Sequence, residues 1–146
     1  MNELKGVLKD SGALAPVRER VEILVNYFEA IVGKTPEEIF ISEYMSKTKE
    51  GEERVFEGLW YFLDDSIYES KNFLHTVTLD KIRFSTFLYW EVSSRNYDEF
   101  ENAKEDSHLK VHCGGNSFGS TLQASGVNCD RLRDIFLNRI KPALET

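Results

Sequence analysis

Between residues 82 and 92 the chain alternates without a break. Ile82, Phe84, Thr86, Leu88, Trp90 and Val92 take one parity, and Arg83, Ser85, Phe87, Tyr89 and Glu91 take the other. Successive side chains of an extended chain point to opposite faces, so this β-branched and aromatic run predicts one long, half-buried strand. A strand of that length needs partners. The sequence offers them at residues 39–45, 55–63, 67–73 and 76–79, and in a hairpin formed by 109–113 and 118–124 around Gly114, Gly115 and Asn116. Val55, Leu59 and Tyr61 alternate with Phe56, Trp60 and Phe62, which predicts a central strand covered on both faces. Residues 46–53 read as a solvated loop, Asp64, Asp65 and Ser66 as a turn, and residues 35–38 as a single helical turn capped by Thr35.

Helical spacing appears at the two ends. Val17, Val21, Leu24, Val25, Phe28 and Val32 form one apolar face, with Pro16 in the first turn and Gly33 as terminator. At the far end Leu132, Ile135, Phe136 and Ile140 share a face, Asn128 is placed to cap, Asp130 lies in the first turn, and Pro142 reads as the stop. Residues before Ser11 allow a short amphipathic turn. Tyr97, Phe100 and Ala103 predict a short helix within the acidic stretch 93–107. The fold class is therefore α+β: an antiparallel sheet of six or seven strands with an N-terminal helix and a C-terminal capping helix. A chain of 146 residues buries enough surface for one core, so a single domain is expected over 1–146. Its helical segment is 1–34, and its sheet and last helix are 35–146.

The formal net charge of −7 repels nucleic acid and anionic membranes and favours a basic partner. Cys113 and Cys129 belong to no CxxC pair or zinc set, so two reduced thiols in a cytoplasmic protein are expected. No apolar run approaches the ~20 residues of a membrane span. No cofactor is expected.

The catalytic motifs fail on chain order or geometry. Gly115, Ser117 and Gly119 match GxSxG, yet His75, His108 and His112 all precede that serine, whereas hydrolases of this type carry the histidine after it. A hairpin turn whose glycines supply positive φ fits better. His108 and His112 stand about 13 Å apart on a strand, too far to share an ion. Adjacent Asp64 and Asp65 point apart on an extended chain and suit a solvated turn. No catalytic and no metal-ligating residue is therefore assigned. Phe87 and Tyr89 lie on the opposite parity from the apolar set, and with Tyr97 and Phe100 of the acidic segment they are the expected contacts for a partner.

Gly51, Arg54, Gly58-Leu59, Trp60, Phe62, Asp65 and Ile67 follow the order of a Gly-x-x-Arg, Gly-Leu and aromatic strand pattern, and residues 128–144 supply a closing helix. From Glu37 onward the chain resembles pleckstrin-homology-like domains, including their GRAM and bacterial branches. The resemblance implies a PH-like barrel used as a scaffold. Phosphoinositide-binding members carry a basic first loop. Here Lys47, Lys49 and Arg54 are offset by Glu50, Glu52 and Glu53, so the resemblance implies protein contacts rather than inositol phosphate recognition. The expected function is a non-catalytic protein-binding module. A dimeric secretion-chaperone-like protein, which would make the chain a homodimer, an acidic inhibitor or immunity-type protein, and an enzyme with an unrecognised site are the alternatives.

Overall fold

The computed structural model describes residues 15–98, 100 and 102–145; the turn expected before Ser11 lies outside them. Helix α1 (Ala15–Val32) starts with Pro16 in its first turn, and Gly33 ends it at φ +78°, donating to Glu29 O at 2.9 Å. Four strands then run as an antiparallel meander: β1 (Glu38–Thr48), β2 (Gly51–Phe62), β3 (Ser66–Lys71) and β4 (Asp80–Arg83). A second antiparallel sheet of three follows: β5 (Tyr89–Arg95), β6 (His108–Gly114) and β7 (Gly119–Ser125). The chain closes with α2 (Asn128–Ile135), a π turn over Phe136–Ile140 and the short α3 (Lys141–Leu144). The fold class is α+β as expected, and the sheets do not join into a closed barrel.

The central hairpin is buried on both faces. Ile39, Ile41, Leu59, Tyr61 and Leu63 point outward to Val21, Leu24, Val25 and Phe28 of α1, where the Phe28 ring stacks on Tyr61 with centroids 4.6 Å apart. Phe40, Trp60 and Phe62 point inward to Leu109, Val111 and Leu122 of the second sheet and to Leu132, Ile135 and Phe136. The two cores lie on opposite sides of one sheet.

No strand ladder joins β1 to β7. A β-bulge does the joining instead: pairing slips between Ser42 and Glu43, which leaves Glu57 as the extra residue of β2. The Ser42 hydroxyl donates to Glu57 Oε1 (2.9 Å) and accepts from the Gln123 backbone N–H (2.9 Å), while Gln123 Nε2 donates to Glu57 at 3.1 Å. Beside them Glu43, with its side chain fully buried, accepts from Ser125 Oγ (3.2 Å) and Arg54 Nε (2.7 Å). This polar seam fastens the sheets along one edge.

The long strand over 82–92 is not formed. It breaks into β4, a 3-10 turn (Phe84–Thr86) and β5. In a strand Phe84 and Phe87 would face opposite sides, but the three-residue period of the turn eclipses them, and both are buried. Residues 76–79 form no strand either, because Thr76 closes a turn through bonds to Lys71 O and Asn72 O. Residues 46–53 are the arms of the β1–β2 hairpin rather than a loop, and residues 35–37 form no helical turn. The helix expected around Tyr97 and Phe100 is absent because Asn96, Phe100 and Asn102 adopt left-handed φ of 50–57°. Pro142 does not stop the last helix. It lacks the N–H that would reach back one turn, and the helix passes it through the π turn.

The glycines of the GxSxG stretch are needed for space, not for φ. A Cβ on Gly115 would lie 2.8 Å from Thr86 O, and one on Gly119 would lie 2.5 Å from His112. Cys113 and Cys129 are buried free thiols, both pushed up to about 12 by burial.

Candidate functional site

Beyond the bulge β1 and β2 continue as a two-stranded arm that overhangs the far end of the second sheet. Beneath the arm lies a cleft of about 760 Å³. Met45, Glu52 and Arg54 of the arm form one wall. The opposite wall is Arg95, at the end of β5, with Asn96, Glu105 and Asp106 of the β5–β6 connection. His108 and Ser125, paired across β6 and β7, lead to Gly126, Val127 and Asn128, where the chain turns into α2. A second lobe of about 320 Å³ shares Met45, Arg95 and His108 and continues over Ser93, Lys110 and Gln123.

The walls are braced locally. Gly126 makes the turn at φ +62°, its N–H donating to Ser107 O at 2.8 Å and its carbonyl accepting from Cys129 N at 3.1 Å. The fully buried Ser107 donates to Asn96 O (2.7 Å) and accepts from Lys104 N (2.8 Å). Asp130 of α2 accepts from the Tyr97 hydroxyl and from Ala103 N at 3.0 Å, and Arg133 donates to Phe100 O at 3.3 Å. The β5–β6 connection, irregular in backbone, is thus held against α2 with Glu105 and Asp106 on the cleft.

Asn128 distinguishes this cleft. The sequence places it as a helix cap, but Val127 takes the cap position with no side-chain hydrogen bond, and Asn128 falls inside the helix. Its side chain is 3% exposed, and neither Nδ2 nor Oδ1 meets a hydrogen-bond partner. A buried amide without partners costs about 1–3 kcal/mol, and the Trp60 indole N–H and Arg131 Nε share this state elsewhere in the fold. Burial and the Arg95 guanidinium hold the His108 imidazole below its ordinary value, which leaves it neutral near pH 7. His108, Asp106 and Ser125 form a set with hydrolase-like chemistry in name only, since the Ser125 hydroxyl is held by Glu43. Among the described residues no cluster of His, Cys, Asp and Glu fits a metal ion, and no helix is long and apolar enough to cross a membrane.

Of the four contacts expected from sequence, three face inward. Phe87 is buried against Phe118, and Tyr97 is buried with Phe100 packed on it. As exposed anchors these are corrected: the 3-10 turn rotates Phe87 inward, and the left-handed residues fold Tyr97 and Phe100 under their own connection. Tyr89 is exposed, beside exposed Leu88 and near the Phe118 hairpin. Met45, Arg95 and Asn128 were not singled out as contacts, because they come from three elements whose proximity exists only in the fold. No family model matches the chain, and neither a curated protein nor a solved structure is significantly similar to it.

Proposed function

We propose that the chain is a non-catalytic protein-binding module, built on a PH-like scaffold, that holds a segment of a partner in the cleft beneath the β1–β2 arm. The observation that carries this reading is the two-lobed cleft itself, whose volume falls within the usual range for ligand sites. The order of a four-strand meander, a three-strand meander and a closing helix supports the scaffold. The committed Ser125 hydroxyl argues against nucleophilic chemistry. Selection of displayed octapeptides against the full chain tests the reading, with Met45→Trp filling the cleft from its β1 side. Peptides should be enriched on the parent chain and lost on the variant, and amide exchange should slow around residues 95–96 and 125–128. Equal enrichment on both chains would refute the cleft, and protection at Leu88, Tyr89 and Phe118 would favour the exposed aromatic patch instead.

A further inference from the structure

We infer that β5 pairs edge to edge with the β5 of a second copy of this chain, antiparallel and centred on Val92, so that two three-stranded sheets become one sheet of six strands. The other sheet edges are protected. β1 and β7 close on each other through the Ser42–Gln123 seam, and β4 is four residues long with three of them charged, Asp80, Lys81 and Arg83. β5 has none of these protections. It is seven residues long, carries no proline, pairs with β6 without a bulge and stands last in the order of its sheet. Among the described residues, its backbone makes no hydrogen bond to backbone outside that one ladder. Trp90 and Val92 lie on its core side, Trp90 edge-on to Phe136 at 5.0 Å, yet both remain half-buried where the sheet stops. A further strand would cover them and take up the outward N–H and C=O groups.

The outer side chains select a second copy as that strand. Tyr89, Glu91, Ser93 and Arg95 alternate there, all exposed, and among the described residues neither Glu91 nor Arg95 makes an ion pair. A two-fold axis normal to the sheet keeps outer face with outer face, so it passes at the level of a residue and not between two. Centred on Glu91, it would set two carboxylates against each other. Centred on Val92, it pairs all seven residues: Val92 meets its own copy, Trp90 lies beside Ser94 of the second copy, Tyr89 faces its Arg95, and Glu91 lies diagonal to that arginine. The chain thus complements its own charges on both sides of the axis. Such a ladder buries less than the ~800 Å² per partner of a standard interface, so the dimer is weak and concentration-dependent.

Sedimentation velocity of the full chain at rising concentration, with two single variants, tests this. The parent should dimerise in the micromolar range. Glu91→Arg leaves only cations on the outer face of the pair, Arg95→Glu leaves only carboxylates, and each should weaken dimerisation by at least about tenfold. Mixed in equal amounts, the two variants regain both diagonal pairs and should associate within about threefold of the parent. Both positions are exposed, so urea midpoints should match the parent's. Arg95 also borders the cleft, so the oligomeric state and not peptide capture is the readout. A parent that stays monomeric into the millimolar range would overturn the inference, as would a dimer indifferent to both variants. A mixture no more associated than its components would overturn the pairing of Glu91 with Arg95. A monomeric parent whose amides at 89–95 slow only when displayed octapeptides are added would give the edge to a foreign strand instead.

Discussion

Helix α2 has a concave surface on each side, and the two differ in what their charges are doing. On the flank facing the start of β1, a hollow of about 570 Å³ holds Arg131 and Arg139. Arg131 pairs with Glu38 and donates to Ile39 O at 2.9 Å, and Arg139 pairs with Glu37 at 2.8 Å. The buried Arg131 Nε lacks a partner there, on a guanidinium whose charge is already met. At the N-terminal end, the cleft keeps a whole amide unsatisfied and an acidic wall. Two hollows of comparable volume thus accompany opposite states of commitment. The flank spends its arginines on holding β1 to the helix, while the cleft keeps the exposed carboxylates of Glu52, Glu105 and Asp106 on its walls.

The largest effect expected from this contrast lies at the cleft floor. Arg54→Ala strips the charged partner from a Glu43 side chain with no exposure, leaving it the Ser125 hydroxyl alone, and should cost about 3 kcal/mol. Arg139→Ala, on the paired flank, leaves a half-exposed Glu37 and should cost under about 1 kcal/mol. Urea denaturation of both variants measures the difference. Equal losses would show that the seam between β1 and β7 is not the fastening described above.

A smaller effect of opposite sign is expected at Asn128. Replacement by leucine removes two buried polar atoms that bond to nothing, so Asn128→Leu should raise stability by about 1 kcal/mol. For a domain of this length that corresponds to roughly 3 °C in Tm. A clear loss of stability would mean that the amide contributes to the fold, and the contrast between the two sides of α2 would collapse.

The same contrast explains what was legible in the sequence. Commitments to the core leave periodic traces: Val21, Leu24, Val25 and Phe28 mark α1, and the parity of Leu109, Val111 and Cys113 marks the inner face of β6. Where two large side chains must turn inward three positions apart, as Phe84 and Phe87 do, period two misleads, and Ser85-Thr86 between them was the available hint of a turn. The cleft left no such trace. Asn128 before a helix reads identically whether it caps or lies buried in the first turn, and Met45, Arg95 and Asn128 are separated by long stretches of chain. Tyr97 and Phe100 stand out in the sequence, and in the fold they anchor the acidic connection.

The last expected effect is the smallest, and it concerns a third uncommitted group, between the sheets. Glu69 pairs across β2–β3 with Trp60, whose indole N–H has no partner, and the missing side chain of Gly58 leaves room for both. Desolvation, with the nearby Asp80 and Glu57 carboxylates adding to it against Lys71, pushes the Glu69 carboxyl up to about 7. An acid raised in the folded state holds its proton more tightly there than when unfolded. Its contribution is therefore complete below the unfolded value near 4.5 and is lost as pH rises to about 7. Because the carboxylate still meets water, the loss should be about 1 kcal/mol rather than the full linkage value. Glu69→Gln removes this pH dependence, so the difference in stability between variant and parent should grow in favour of the variant from pH 4.5 to 7.5. Asp65 and Glu37, held low by Ser66 and Arg139 respectively, bend the parent curve the other way at acid pH and cancel in that difference. A difference that stays flat across the window would place Glu69 in ordinary solvent and leave the unpaired Trp60 indole as the only uncommitted polar group identified between the sheets.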